Sequence, residues 1–261
     1  MVSIIDACLR DGRGGSPTVV VDDPGLTAAE CRLVPVRHGT SHAVFVTRRA
    51  GVVDLRFFTA AGELPACGHG TVAAIAFLAG RLPGDEFTLR VSGRTFAGRA
   101  VRDGDRVHAA FDPGPVTLRD PTPAETAAVG LDPAGTAGAC VASLGRARML
   151  IPVATPEAVA ALVPDLDRIR AAGDRFGLLG VYVYSAPTAA GRVVARMFAP
   201  SIGVPEDIAN ANSTACLAAR LAADGVTDLT VDMGDALNRP ATITTTRTGP
   251  TTWVGGVARS R

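Results

Sequence analysis

The chain has 261 residues, 47% of them hydrophobic, and a formal net charge of +1. That length suits one large domain or two of ordinary size with a substantial core, and the near-zero charge gives no electrostatic case for nucleic acid. All 26 basic residues are Arg; without Lys, Schiff-base and pyridoxal-phosphate chemistry are excluded, since both need a lysine amine.

The N-terminus from Met1 to Arg13 lacks the cationic start and apolar core of a signal peptide. The longest apolar run, Val72 to Ala79, is far shorter than a bilayer-spanning helix, which needs roughly 20 residues. A soluble, cytoplasmic protein without membrane association is expected. Cys8, Cys31, Cys67, Cys140 and Cys216 are widely spread and form no CxxC, which argues against a disulfide framework or a structural zinc site.

In chain order, Val2 to Cys8 and Thr18 to Val21 read as paired strands across a turn-rich loop, Asp11 to Pro17. Leu33 to Arg37, Ala43 to Thr47 and Val53 to Phe57 read as further strands. Thr59 to Thr71 is a polar turn that enters an apolar helix, Val72 to Ala79. Because that helix is hydrophobic on every side, it predicts burial all round. His69 falls at or just before its start, with Gly68 and Gly70 beside it to let the backbone approach a bound group. A helix start presents unpaired N–H groups and partial positive charge, which suits a carboxylate or phosphate. A titratable side chain at the mouth of a buried helix is a site candidate.

Phe87 to Val91, Thr95 to Val101 and Arg106 to Phe111 predict an antiparallel run. Asp112-Pro-Gly-Pro115 and Asp120-Pro-Thr-Pro123 break the pattern and suggest a domain junction. Helices are predicted near 124–130 and 156–172, and strands at 138–143, 146–152, 179–184 and 192–198. Ile208 to Ala222 reads as a second Ala/Leu-rich helix, followed by strands near 228–232, 240–247 and 251–258.

The second half of the chain echoes the first. Arg56-Phe57-Phe58 answers to Arg196-Met197-Phe198, and Gly70-Thr71-Val72-Ala73-Ala74 to Ser213-Thr214-Ala215-Cys216-Leu217. Self-similarity at half the chain length indicates a duplicated fold, since solenoid repeats are far shorter. Two helix starts of this kind can face one cleft; alternatively, both halves are merely strand–helix units.

Glu63-Leu64-Pro65-Ala66-Cys67-Gly68-His69-Gly70-Thr71, after Arg56-Phe57-Phe58-Thr59, resembles the motif of the PhzF-like (phenazine-biosynthesis-like) isomerases. So does Gly203-Val204-Pro205-Glu206-Asp207 followed by Asn210-Ala211-Asn212-Ser213. The resemblance spans nearly the whole chain. It implies an α+β fold of two similar halves, each a curled, mostly antiparallel sheet around a central helix, akin to diaminopimelate epimerases and proline racemases. Residues 1–117, joined by the last strand at 249–261, would form one half and 118–248 the other. The family implies a small carboxylic-acid substrate held between the halves, no cofactor and usually a homodimer. It also implies a role in secondary metabolism, such as routes to phenazines or alkylproline antibiotics.

The family's general acid/base is a glutamate in a Ser-Glu-Thr/Ala stretch. Here that stretch is Ser41-His42-Ala43, so His42 stands in its place. Imidazole, with an unperturbed pKa of about 6.5, exchanges protons near neutrality with little tuning. By the same resemblance His69 holds substrate or relays a proton, and Asp207 orients a histidine or a substrate amine, unless it is only a helix cap. The resemblance further implies that Ser16, Gly68, Gly70, Thr71, Asn210, Asn212 and Ser213 bind the substrate. Ser16, in Gly15-Ser16-Pro17, replaces the amide of a Gly-Asn-Pro loop. Cys-Gly-His-Gly at Cys67 also resembles the thiol base of proline racemases, which need a second cysteine, and Cys216 lies about a turn inside its helix. A ligand-binding relative without catalysis is the third reading. No metal is expected: His38 and His42 are divided by strand and turn residues, and no HExxH or Cys/His cluster is evident. Gly12 to Gly15 is no dinucleotide or P-loop fingerprint, and Ser41 lacks a nucleophile-elbow context.

Overall fold

The computed structural model describes residues 1–22, 25–130 and 138–261. Strands β1 (Val2–Leu9) and β2 (Ser16–Asp22) form an antiparallel pair. Helix α1 (Ala28–Arg37) then crosses to β3 (His42–Arg49), parallel to β2, and β4 (Val52–Phe58) returns antiparallel. After the short β5 (Glu63–Leu64), helix α2 (Gly68–Ala79) crosses to β6 (Glu86–Val91), parallel to β4. A meander of β7 (Arg94–Asp103) and β8 (Arg106–Phe111) completes the half.

Following β9 (Thr117–Arg119) and α3 (Pro123–Val129), the same sequence of pairings recurs. Strand β10 (Cys140–Leu144) is antiparallel to β11 (Arg146–Val153), and α4 (Pro156–Ala161) and α5 (Leu166–Phe176) cross to β12 (Leu178–Ser185), parallel to β11. Strand β13 (Arg192–Ala199) returns antiparallel. The short β14 (Val204–Asp207) and helix α6 (Ala211–Ala222) lead to β15 (Leu229–Met233), parallel to β13. Strands β16 (Ala241–Thr248) and β17 (Thr251–Ser260) form the closing meander. Each half is thus a curled sheet with one helix inside it. Among the described residues no helix is long and apolar enough to cross a membrane.

The halves are stitched by their outer strands. Strand β17 pairs with β16 but also with β8 and β1, closing a ring of β1, β2, β3, β4, β6, β7, β8 and β17 around α2. Every residue of α2 is buried, as its uniform hydrophobicity requires. The starts of the two central helices touch. A Cβ on Gly68 would lie 2.7 Å from Ala211 Cβ and 2.9 Å from Asn212 N. Only glycine permits this approach.

Three local expectations are corrected. Leu33 to Arg37 is the end of α1, not a strand. Thr27 and Glu30 form a capping box. Thr27 Oγ1 accepts from the Glu30 N–H at 3.3 Å, and Glu30 accepts from the Thr27 N–H at 2.9 Å. Cys31 and Val34 then bury against Val19, Phe45 and Phe58. The helix expected over 156–172 is two, because Pro164 has no N–H to continue a helix and disfavours helical backbone before it; Asp165 caps the second. The second central helix begins at Ala211 rather than Ile208, where Asn210 caps it through the Ser213 N–H at 2.9 Å, as short polar side chains do at helix starts.

Candidate active site

The touching helix starts bring His69 and Asp207 together from opposite halves of the chain. His69 is the second residue of α2. Its Nδ1–H donates to the Ala209 carbonyl at 2.8 Å and lies 3.8 Å from Asp207 Oδ1. Asp207 ends β14 and accepts from Asn210 Nδ2 at 2.9 Å, so the residue that caps α6 also fixes the carboxylate. His42 opens β3, where parallel pairing with Thr18 sets its register. Its ring meets that of His69 edge to face, with centroids 4.4 Å apart. His42 Nδ1 is 2.8 Å from Ser41 Oγ. Cys67 Sγ is 3.5 Å from His69 Nε2. His42, Cys67, His69 and Asp207 all line one cavity of about 490 Å³, walled by residues of both halves.

The two imidazoles have opposite electrostatic surroundings. Burial, reinforced by the charge on His69, holds His42 well below the usual histidine range, so it is neutral at pH 7. Burial alone would also lower His69. It is outweighed by the Cys67 sulfur and the Asp207 carboxylate, helped by the hydrogen bonds to Cys67 and Ala209, and His69 is pushed up to about 10. Opposite charges and hydrogen bonds to the charged form act in this direction. Burial raises Asp207, opposed by the His69 charge and by N–H donors from Asn210, Ala209 and Ile208.

Gly68, Thr71, Asn210 and Asn212 also line the cavity, and Thr71 Oγ1 donates to the Cys67 carbonyl at 2.8 Å to brace the turn. Gly70 lies beneath: a Cβ there would meet Cys67 Sγ and the Phe57 ring at 3.0 Å, so its role is packing. Ser213 is outside the lining. Its N–H serves the Asn210 cap, and its Oγ faces Met197 Sδ at 3.6 Å. Ser16 is fully buried, away from the lining, with no partner for its Oγ among the described residues. Cys216 is buried within α6 and does not reach the cavity.

Two features were hidden in the sequence. His42, Cys67 and His69 form a cluster whose donor atoms lie within 4.8 Å of one another, close enough to hold a metal ion. The long stretch of chain between His42 and Cys67 concealed it. Within it, His69 Nε2 is directed at Cys67 Sγ, while His42 Nδ1 is turned to Ser41 Oγ. The second is Arg148 on β11, only 2% exposed yet lining the cavity. Nη2 donates to the Arg146 carbonyl at 2.7 Å and Nη1 to Ser213 Oγ at 3.4 Å, while Nε meets no acceptor among the described residues. Its one sequence signal is a charge opening the apolar run Met149-Leu150-Ile151.

The cleft lies between duplicated curled-sheet halves and is lined by titratable groups from both, His42, Cys67 and His69 from the first and Asp207 from the second. Residues 9–256 match the family described as Phenazine biosynthesis-like protein, and the chain belongs to that family of isomerase-type enzymes. It is 30% identical over 239 residues to an uncharacterized isomerase of Deinococcus radiodurans, covering 82% of this chain and 73% of that one. Among solved structures, a predicted epimerase from Pseudomonas aeruginosa shares 25% identity at a TM-score of 0.82, covering 100% of this chain and 96% of that one. A PhzF-family phenazine biosynthesis protein from Bacillus anthracis has a TM-score of 0.82 at 18% identity, covering 99% of this chain and 96% of that one; that likeness is one of fold.

Proposed function

We propose that the enzyme is a cofactor-independent isomerase that moves a proton, and with it a double bond, on a small unsaturated carboxylic acid or cyclic amino acid of secondary metabolism. The carrying observation is the contact between a neutral His42 and a protonated His69 at one cavity wall. A pair of titratable groups whose surroundings drive their pKa values apart supplies a base and an acid at the same pH.

In the proposed reaction, His42 donates Nδ1–H to Ser41 Oγ and uses the Nε2 lone pair to take a proton from the carbon beside the carboxylate. The electron pair of the broken C–H bond moves into a dienol-like system, and the N–H groups at the start of α2 stabilise the charge that develops on oxygen. That start is open because Cys67, its cap residue, makes no side-chain cap bond. His69 then gives its Nε2 proton to the far end of the allylic system. Transfer from His42 to His69 across their ring contact restores both groups. Asp207 holds His69 in its charged form and orientation.

Cys67 is the rival base, favoured by its 3.5 Å contact with His69 Nε2. Two-thiol racemisation, however, needs a second sulfur at the cavity, and Cys216 lies outside its lining. Solvent deuterium incorporation, read by mass spectrometry over a panel of β,γ-unsaturated acids and cyclic enamino acids, tests the reading. Label enters at least one acid with the wild-type protein and not with His42→Ala. No label in any acid would leave a binding protein instead.

A further inference from the structure

We propose that Arg148 seats a second carboxylate, so that the natural substrate is a small dicarboxylic acid rather than a monoacid. This rests on the reading of the cavity as a carboxylic-acid site and narrows it.

The first support is a contrast among the chain's interior arginines. Arg196 makes a bidentate pair with Glu206 at 2.9 and 2.8 Å. Arg10 pairs with Asp232 at 3.3 Å and with Asp235 at 2.9 Å. Arg148 is more deeply buried than either of these, yet among the described residues no carboxylate pairs with it and its partners are a carbonyl and a distant hydroxyl. Burying a cation without a counter-ion opposes folding, and burial here pulls its pKa down. Its Nε–H has no acceptor among the described residues, and its side chain lines the cavity. A guanidinium so placed is shaped to meet a planar oxyanion that arrives with the ligand.

The second support is that the reacting end already has its own anion seat. The start of α2 has no side-chain cap and opens beside His42 and His69, whereas the start of α6, next to Arg148, is closed by Asn210. One carboxylate at α2 leaves Arg148 unanswered; two carboxylates satisfy both. Arg94 and Arg146 line the same cavity and, with Arg148, outnumber its carboxylates at Asp112 and Asp207. A cavity with excess positive charge favours a dianion.

Succinate, glutarate and butyrate are the probes, read by thermal melting and calorimetry on wild type and Arg148→Met, without turnover. At least one diacid raises the wild-type melting temperature by several degrees at saturation, and butyrate does so far less. Arg148→Met binds that diacid on the order of 100-fold more weakly, responds alike to diacid and monoacid, and melts no lower than wild type because the lost charge had no counter-ion among the described residues. Equal responses of wild type to all three acids would overturn the proposal. So would a diacid preference retained in Arg148→Met, or a much lower melting point of that variant, which would make Arg148 structural. Inorganic phosphate that outcompetes both diacids would reassign the seat to a phosphoryl group and equally overturn it. If no acid exchanges deuterium but Arg148→Met loses the diacid preference, the isomerase reading fails and this one stands.

Discussion

The imidazoles of His42 and His69 sit edge to face with ring centroids 4.4 Å apart, and one is held neutral while the other is held charged. Like residues are thereby driven to unlike charge states by surroundings alone. Residue 69 sees a sulfur and a carboxylate; residue 42 sees a hydroxyl and a cation.

Removing the base should abolish exchange while the fold persists. His42→Ala is expected to lower deuterium incorporation by about 10²- to 10⁴-fold, the usual contribution of a positioned base, with an unchanged circular dichroism spectrum. His42→Glu, which restores the carboxylate found in the related family, should recover part of the rate. Full activity in His42→Ala would remove that residue from the chemistry.

The pH profile should be broad. The rate should rise as His42 loses its proton, well below the usual histidine range, and fall as His69 loses its own near pH 10. Stability follows the same groups with opposite signs. His42 has a depressed folded pKa, so its contribution is full above about 6.5 and is lost as pH falls. His69 has a raised one, so its contribution is full below about 6.5 and is lost as pH rises towards about 10. Melting temperatures of wild type and His42→Phe, compared from acid to alkaline pH, check this: the variant should lose the acid-side decline and keep the alkaline one.

Asp207→Asn keeps the shape of the turn but removes the negative charge 3.8 Å from His69. The alkaline limb of the rate profile should move to lower pH, and the acid limb should stay. An unmoved alkaline limb would detach Asp207 from His69.

Gly68→Ala should separate the two helix starts. The added methyl meets Ala211 Cβ at 2.7 Å and the Asn212 backbone at 2.9 Å, neither able to swing aside. A cost of about 1–3 kcal/mol is expected, with a loss of turnover beyond what stability explains, because the same shift moves His69 away from Ala209. Denaturant unfolding with parallel exchange assays measures both.

Cys67→Ser should retain exchange if His42 is the base, with the alkaline limb displaced downward because His69 loses the sulfur beside it. Complete loss would favour the thiol.

Much of this was legible in the chain. Uniform hydrophobicity from Val72 to Ala79 specified a helix enclosed on all sides, and the half-length echo between Arg56-Phe57-Phe58 and Arg196-Met197-Phe198 specified the duplication. His69, Asp207, Asn210 and Asn212 share one cavity because their motifs sit at or just before the starts of the paired central helices. Other features had no local signal. Leu33-Val34-Pro35-Val36 looks like an edge strand until Thr27 and Glu30 are seen to cap a helix. Arg148 looks like one surface arginine among many, since its isolation depends on which side chains fold around it. The His42–Cys67–His69 cluster needs β3 and the α2 turn to be brought side by side, which no periodicity reports.

Strand β17 bonds to β1 and β8, so the first lobe borrows a stave from the chain that follows the second. On the ribosome that lobe must therefore wait, with an open seam, until β17 emerges. Contacts of such long range slow folding, and a nascent chain stalled before residue 251 would leave the α2 core exposed to chaperones and proteases. The first lobe closes only after the second has been made, and the cleft between them is assembled only then.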